Sequence, residues 1–159
     1  MTFHTTATRL WKGLAPDERQ RAAAAFFAEP TAELMGAAIG ALVKARHLRP
    51  QAARALAPDA QARILATVLD PGEPLSQGLL VGLHLADRRA LLRAFLDGLK
   101  LPHDDGILKE EADALPPVGE ESARTALAAL GDFPPDQVRT YLNTLWLQDP
   151  ERWGALASL

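Results

Sequence analysis

Apolar residues recur along this chain with the spacing of one helix face. They fall at positions i, i+1, i+4, i+5 and i+8, for example in the runs 34–43 and 91–99. Because a helix makes one turn in about 3.6 residues, this spacing gathers the apolar side chains into one stripe. The pattern predicts helices over 4–13, 16–28, 31–47, 51–56, 58–69, 74–85, 87–100, 105–114, 119–130, 135–147 and 150–158.

Prolines separate the apolar stripes, and Pro16, Pro58, Pro135 and Pro150 are each followed by an acidic residue. Proline suits the first position of a helix, where its missing N–H would have no intrahelical partner. An acidic neighbour is favoured by the positive end of the helix dipole. These prolines are therefore predicted helix starts. The connections are short enough for successive helices to pack antiparallel, except in the Pro-, Gly- and acid-rich stretch 101–119.

The composition favours an all-α fold. Alanine and leucine supply most of the apolar residues, and both enter helices at little cost. No stretch alternates Val, Ile, Thr and Tyr as a strand would. We therefore expect about ten helices in a single helical domain over 1–159, either as an irregular multi-helix bundle or as a short α-solenoid of antiparallel helix pairs.

A repeated tetrapeptide supports the solenoid alternative. The sequence Leu-Ala-Pro-Asp occurs at 14–17 and again at 56–59, and a looser copy begins at Phe133. A period of about 40–47 residues is that of HEAT-like helix pairs. The other interpretation is that Leu-x-Pro-Asp is simply a good helix start that recurs by chance. The comparison with HEAT repeats rests on the period alone.

Composition also bounds the compartment and the partners. The chain has no cysteine, which excludes disulfides, thiol nucleophiles and thiolate zinc sites and fits a reducing compartment. Residues 1–9 lack the pattern of a signal peptide, and the longest apolar run, 34–43, is too short to span a membrane. We expect a cytoplasmic protein without membrane contact. The net charge of −3 argues against nucleic acid as a partner.

The residues that most often carry metal or catalytic chemistry are not arranged for it. No two histidines have the i, i+4 spacing of a helical zinc site, and the acidic stretch 103–113 lacks the spacing of a calcium loop. No serine lies in a nucleophile elbow, and no glycine-rich loop is built to hold phosphate. We therefore predict no catalytic residues, no metal and no cofactor. The four histidines are His4, His47, His84 and His103.

Charge is distributed unevenly. No acidic residue occurs between Leu34 and Pro58, whereas acids predominate between Asp97 and Glu121. A basic patch and an acidic patch on one chain could steer the approach of a partner or of a second copy of the chain. The alternative is that cations near 44–49 simply favour a helix C-terminus. The candidate partner-binding residues of the basic stretch are Lys44, Arg46, His47, Arg49 and Arg54.

The C-terminal part holds the second group of candidates: Arg139, Tyr141, Trp146 and Trp153. It contains the only tyrosine and two of the three tryptophans. Aromatic residues and arginine dominate interface energetics, but large aromatic residues also anchor helices to a core. Both roles remain open from the sequence.

These patterns favour a non-enzymatic helical module that binds a protein partner or associates with itself. One alternative is a nucleic-acid-binding domain that uses the basic stretch 44–54. Another is an enzyme or small-ligand binder in a helical cleft, with His84 or His103 as the titratable group.

Overall fold

The computed structural model describes residues 5–159, and about 70% of the chain is helical. The all-α prediction is confirmed. His4, the first residue of the predicted helix 4–13, lies outside the described residues. The α-helices of the described part are α1 (Ala7–Gly13), α2 (Pro16–Ala28), α3 (Ala32–Arg46), α4 (Pro50–Ala55), α5 (Pro58–Thr67), α6 (Glu73–Asp87), α7 (Arg89–Gly98), α8 (Glu120–Ala128) and α9 (Pro135–Gln148). None of these helices is long and apolar enough to cross a membrane.

The predicted proline starts are confirmed at three helices. Pro16, Pro58 and Pro135 open α2, α5 and α9, and each is followed by an aspartate in the first turn. Both copies of Leu-Ala-Pro-Asp have the same local structure: Ala15 has φ −65° and ψ 151°, and Ala57 has φ −61° and ψ 148°. An extended residue before the proline is what the proline ring imposes. The repeated tetrapeptide is thus a shared way of entering a helix.

The chain forms two compact units, one spanning Thr6–Ala86 and the other containing Asp87–Leu159. The single domain proposed over 1–159 stays a prediction. In the unit Thr6–Ala86, α2 and α5 form the most extensive helix–helix contact. Trp11 is fully buried in this unit, among a core of leucine, alanine and phenylalanine side chains. The larger buried members of this core are Leu14, Phe26, Phe27, Ile39, Leu42, Leu65, Leu75, Leu79, Leu80 and Leu83.

The unit Asp87–Leu159 is built around Phe95 on α7. The ring of Phe95 meets the ring of Tyr141 edge-on, with centroids 5.7 Å apart, and lies 5.9 Å from the ring of Trp153. Aromatic pairs prefer such edge-to-face and tilted arrangements. Helices α7 and α8 approach closely, since a Cβ added at Gly98 would lie 3.1 Å from the Cα of Ala126. This is a position where a larger residue would push two helices apart.

Two of the predicted helices are wrong. In place of a helix over 105–114, a small antiparallel hairpin pairs β1 (His103–Asp104) with β2 (Ile107–Leu108), and a 3₁₀ helix follows at Glu110–Ala114. Asp105 and Gly106 have φ of 49° and 89°, the positive values that a tight two-residue hairpin turn needs. The predicted α-helix over 150–158 is instead a turn followed by a 3₁₀ helix at Gly154–Ser158.

Candidate functional site

An open groove of about 800 Å³ runs along α3 in the unit Thr6–Ala86. One side is the exposed face of α3, and the other is the connection between α5 and α6. The α3 side is made mainly of very small residues, with Lys44 and Arg46 near the C-terminal end of the helix. The residues lining the groove are Ala37, Gly40, Ala41, Lys44, Ala45, Arg46, Thr67, Val68, Asp70, Pro71 and Gly72.

Three hydrogen bonds hold the connection side of the groove in place, one of them from the buried Trp11. The indole Nε1 of Trp11 donates to the carbonyl oxygen of Val68 at 2.8 Å. The guanidinium of Arg19 donates from Nε to the carbonyl of Ala66 at 3.0 Å. The carboxylate of Asp70 accepts from the backbone N–H of Gly72 at 3.2 Å, and Gly72 has a φ of 91° that favours glycine. The wall of the groove is therefore pinned to the core.

The α3 side of the groove contains glycine at a position where neither the backbone conformation nor the packing requires it. Gly36 and Gly40 are four residues apart in one helix, as are Gly78 and Gly82 in another, and this spacing can let helices pack closely. Close packing occurs at Gly78, where an added Cβ would collide with the side chain of Leu34. A Cβ added at Gly36, Gly40 or Gly82 would meet nothing within 4 Å. Glycine inside a helix costs about 1 kcal/mol relative to alanine. Gly40 thus leaves open space in the groove, and it makes α3 less stable than alanine would at this position.

Two of the predicted basic residues line this groove. Lys44 and Arg46 lie in the last turn of α3, where the helix dipole favours cations. Both side chains are exposed, and neither has an ion pair or side-chain hydrogen bond with any described residue. Asp70 is the acidic residue on the opposite wall. The end of the groove near Lys44 and Arg46 therefore offers cationic groups without intramolecular acidic partners.

The other basic candidates surround the end of α3 without lining the groove. His47 caps α3 in the left-handed conformation, with φ 53° and ψ 40°, and is exposed. Arg49 immediately precedes α4, and Arg54 lies in its last turn. Both arginines are exposed. The structure therefore separates the predicted basic stretch into two groove residues and three flanking residues.

The C-terminal candidates lie in the unit Asp87–Leu159. Tyr141 and Trp153 are buried, with 3% and 2% of their surface exposed, so they contribute to the core. Burial raises the pKa of the Tyr141 phenol well above its usual value of 10. Trp146 is half-buried, and Arg139 is exposed with its guanidinium 3.6 Å from the Asp136 carboxylate. Of the two roles left open by the sequence, the arrangement favours core packing for Tyr141 and Trp153.

Neither histidine proposed for a catalytic role lines the groove. His84 is buried on α6, with Nδ1 2.7 Å from the carbonyl oxygen of Leu80. His103 lies in the hairpin, where Nδ1 accepts from the backbone N–H of Gly106 at 3.1 Å and Nε2 is 2.8 Å from the Asp97 carboxylate. Within residues 5–159, no three His, Asp or Glu side chains are grouped to hold a metal ion.

Comparisons with protein-family models, with curated proteins and with solved structures found no match to this chain. The sequence analysis selected Lys44 and Arg46 for their charge, but it did not connect them with the small residues one and two turns earlier on α3. A signal was present: small residues occupy positions 37, 40 and 41 on the same helix face, directly before Lys44 and Arg46. The opposite wall, 67–72, carried no such signal because its place is decided by tertiary hydrogen bonds.

Proposed function

We propose that this chain is a protein-interaction module that binds an acidic peptide segment of a partner in the groove beside α3. The observation that carries the proposal is the combination of a small-residue side and a cationic end. Ala37, Gly40 and Ala41 let a second backbone approach closely, and Lys44 and Arg46 supply charge next to that approach. The function stays non-enzymatic in this proposal.

The shape of the groove supports a peptide as the ligand. Small residues along one helix face allow close backbone contact and a large number of van der Waals contacts per residue. The groove is open along its length, unlike the enclosed apolar cavity that suits a small molecule. A helix or extended segment that lies along α3 would fill it.

Charge favours an acidic segment. The cations Lys44 and Arg46 have no partner among the described residues, and acidic groups are absent from 34 to 58. Complementary charges of this kind raise the rate of association and select against basic competitors. Nucleic acid is disfavoured, because affinity for a phosphate backbone depends on many cations in series and Asp70 faces this groove.

The proposal is tested by selecting peptides on the folded chain. A displayed library of random peptides of about 15 residues, enough for roughly four helical turns, is selected on the wild-type protein. The selected peptides are then measured by fluorescence anisotropy against the Lys44→Glu/Arg46→Glu variant and against Gly40→Leu. We expect peptides enriched in Asp and Glu, with binding weakened at least about tenfold by either variant.

Gly36→Leu is the matched control. Gly36 is also exposed in α3 with open space around its Cα, but it does not line the groove. This variant should bind as the wild type does, and circular dichroism should show all variants folded. Peptides that bind every variant equally, or that show no acidic enrichment, would refute the proposal. Binding of a short DNA duplex that is lost on charge reversal at Lys44 and Arg46 would refute it in favour of the nucleic-acid alternative.

A further inference from the structure

We propose that the occupant of the groove is supplied by a second copy of this chain, through its acidic segment 110–121. This inference rests on the proposed function, because it names the partner of the same groove. The segment lies in the unit Asp87–Leu159 and includes the 3₁₀ helix and the extended stretch that follows it. Its charge, shape and exposure each fit the groove of another copy.

The acidic segment carries the charge opposite to that of Lys44 and Arg46. It contains five acidic residues and no basic residue, the reverse of 34–58. Glu110, Glu111 and Glu121 are exposed and have no ion pair with any described residue. Two sets of unpaired, opposite charges on one polypeptide favour association between copies. The acidic residues are Glu110, Glu111, Asp113, Glu120 and Glu121.

The segment also presents an apolar side chain between its charged ends. Leu115 is 42% exposed, one of the few large apolar residues so exposed in the described chain. It is followed by Pro116 and Pro117, which are also exposed. A leucine flanked by acids matches a groove in which Gly40 and Ala41 leave room beside the cations. Contact with this side of the groove would remove the Leu115 side chain from water.

The acidic segment has a defined backbone conformation before any partner binds. Leu115 has φ −84° and ψ 150°, and Gly119 has φ −77° and ψ 155°, both typical of a polyproline II stretch. The backbone N–H of Val118 donates to the carbonyl of Arg152 at 3.1 Å, and the Arg152 guanidinium lies 2.9 Å from the Asp113 carboxylate. A segment held in this way loses little conformational entropy when it docks.

The contact would join two different surfaces of the same chain. Such a heterologous contact closes into a dimer if two copies exchange segments reciprocally, and otherwise extends into a longer assembly. Either outcome depends on protein concentration. Because the contact is largely ionic at its ends, it should also weaken as salt is raised.

Sedimentation velocity of the full chain tests this inference. We expect association at about 50 mM salt that is weakened at about 500 mM, where the Debye length is only a few ångströms. The groove variant Lys44→Glu/Arg46→Glu and the segment variant Glu110→Lys/Glu111→Lys should each associate at least about tenfold more weakly than the wild type. The control Asp132→Lys, an exposed acid outside the segment, should associate as the wild type does.

The decisive measurement mixes the two charge-reversed variants. In the mixture the reversed groove faces the reversed segment, and each wild-type surface also finds its complement, so association should return. Misfolding could not produce this recovery. A third variant, Leu115→Ser, should weaken association without changing its salt dependence, because it removes only apolar contact.

The possible failures are distinguishable. A chain that stays monomeric at low salt, or a mixture that shows no recovery, overturns the self-association. If selected acidic peptides still bind the groove in that case, the proposed function stands and the partner is another protein. If no acidic peptide binds the groove either, both proposals are overturned.

Discussion

The carboxylate of Glu73 caps the first turn of α1 by accepting two hydrogen bonds from Thr8. One comes from the backbone N–H of Thr8 at 3.1 Å and the other from its hydroxyl at 3.0 Å. The same carboxylate also accepts from the N–H of Ala7. These N–H groups have no intrahelical acceptor, and a negative charge is favoured there by the helix dipole. One residue at the start of α6 thus fixes the start of α1.

We expect Glu73→Gln to lower the free energy of unfolding by about 1 kcal/mol at neutral pH, because it replaces charge-assisted hydrogen bonds with neutral ones. Chemical denaturation monitored by circular dichroism measures this. Glu29→Gln, at an exposed glutamate after α2, is the control and should stay within about 0.5 kcal/mol of the wild type. Equal stability of Glu73→Gln and wild type would mean that the cap contributes nothing measurable.

The cap should also depend on pH in a defined direction. Desolvation raises the pKa of Glu73, but the hydrogen bonds from Ala7 and Thr8 outweigh it, so the pKa is lowered from its usual 4.5. Since the folded pKa is the lower one, the stabilisation is present above the unfolded pKa and is lost as pH falls through the folded pKa. The stability difference between wild type and Glu73→Gln should therefore be full at pH 7 and shrink below about pH 4.5. A difference that grows on acidification would contradict this.

Gly106→Ala should be strongly destabilising. Gly106 has a φ of 89°, and an added Cβ would lie 2.7 Å from the Cβ of Leu92. Backbone strain costs on the order of 1–3 kcal/mol, and overpacking adds a similar amount. We expect a loss of about 2 kcal/mol or more by thermal denaturation. Gly13→Ala, at an exposed glycine without a positive φ and with open space around an added Cβ, is the control and should change little.

Alanine at Gly36 or Gly40 should stabilise the chain. Both positions are inside α3 and exposed, and an added Cβ meets nothing within 4 Å. Replacing glycine with alanine at such a position contributes about 0.4–1 kcal/mol. For a chain of this size that corresponds to an increase in Tm of about 1–4 °C. A decrease in Tm for Gly40→Ala, without one for Gly36→Ala, would contradict the open space around Gly40.

Because the chain has a single tyrosine, the ionisation of its phenol can be followed without a signal from another tyrosine. Tyr141 is buried, and burial raises the pKa of its phenol above the usual 10. Because the neutral form is favoured in the folded state, its contribution to stability is present below the unfolded pKa and lost at higher pH. Tyrosinate absorbance should therefore appear only with alkaline unfolding, as followed by circular dichroism in the same sample. Ionisation of Tyr141 near pH 10 in a fully folded protein would show that the phenol reaches solvent.

The local sequence determined most of the helices. Apolar residues on one face and proline at the first position depend only on neighbours within a turn or two, and helices such as α2, α5 and α9 begin at their predicted prolines. The hairpin at 103–108 was missed although Asp105-Gly106 is a strong turn signal, because its two-residue strands are too short to show any alternation. The hairpin contacts α7, where Gly106 lies close to Leu92 and the Asp105 carboxylate pairs with the Arg93 guanidinium.

The groove was decided by tertiary structure. The sequence by itself determined that Lys44 and Arg46 lie near the end of a helix without acidic neighbours. It did not determine that Val68 would lie across the groove from these residues. The position of Val68 depends on a hydrogen bond from Trp11, 57 residues away in the sequence. Nor could the sequence separate Gly78, where an added Cβ would collide with the side chain of Leu34, from Gly40, which faces open space. Local pattern sets which residues form a helix, but only the packing of distant segments decides which of its faces stays uncovered.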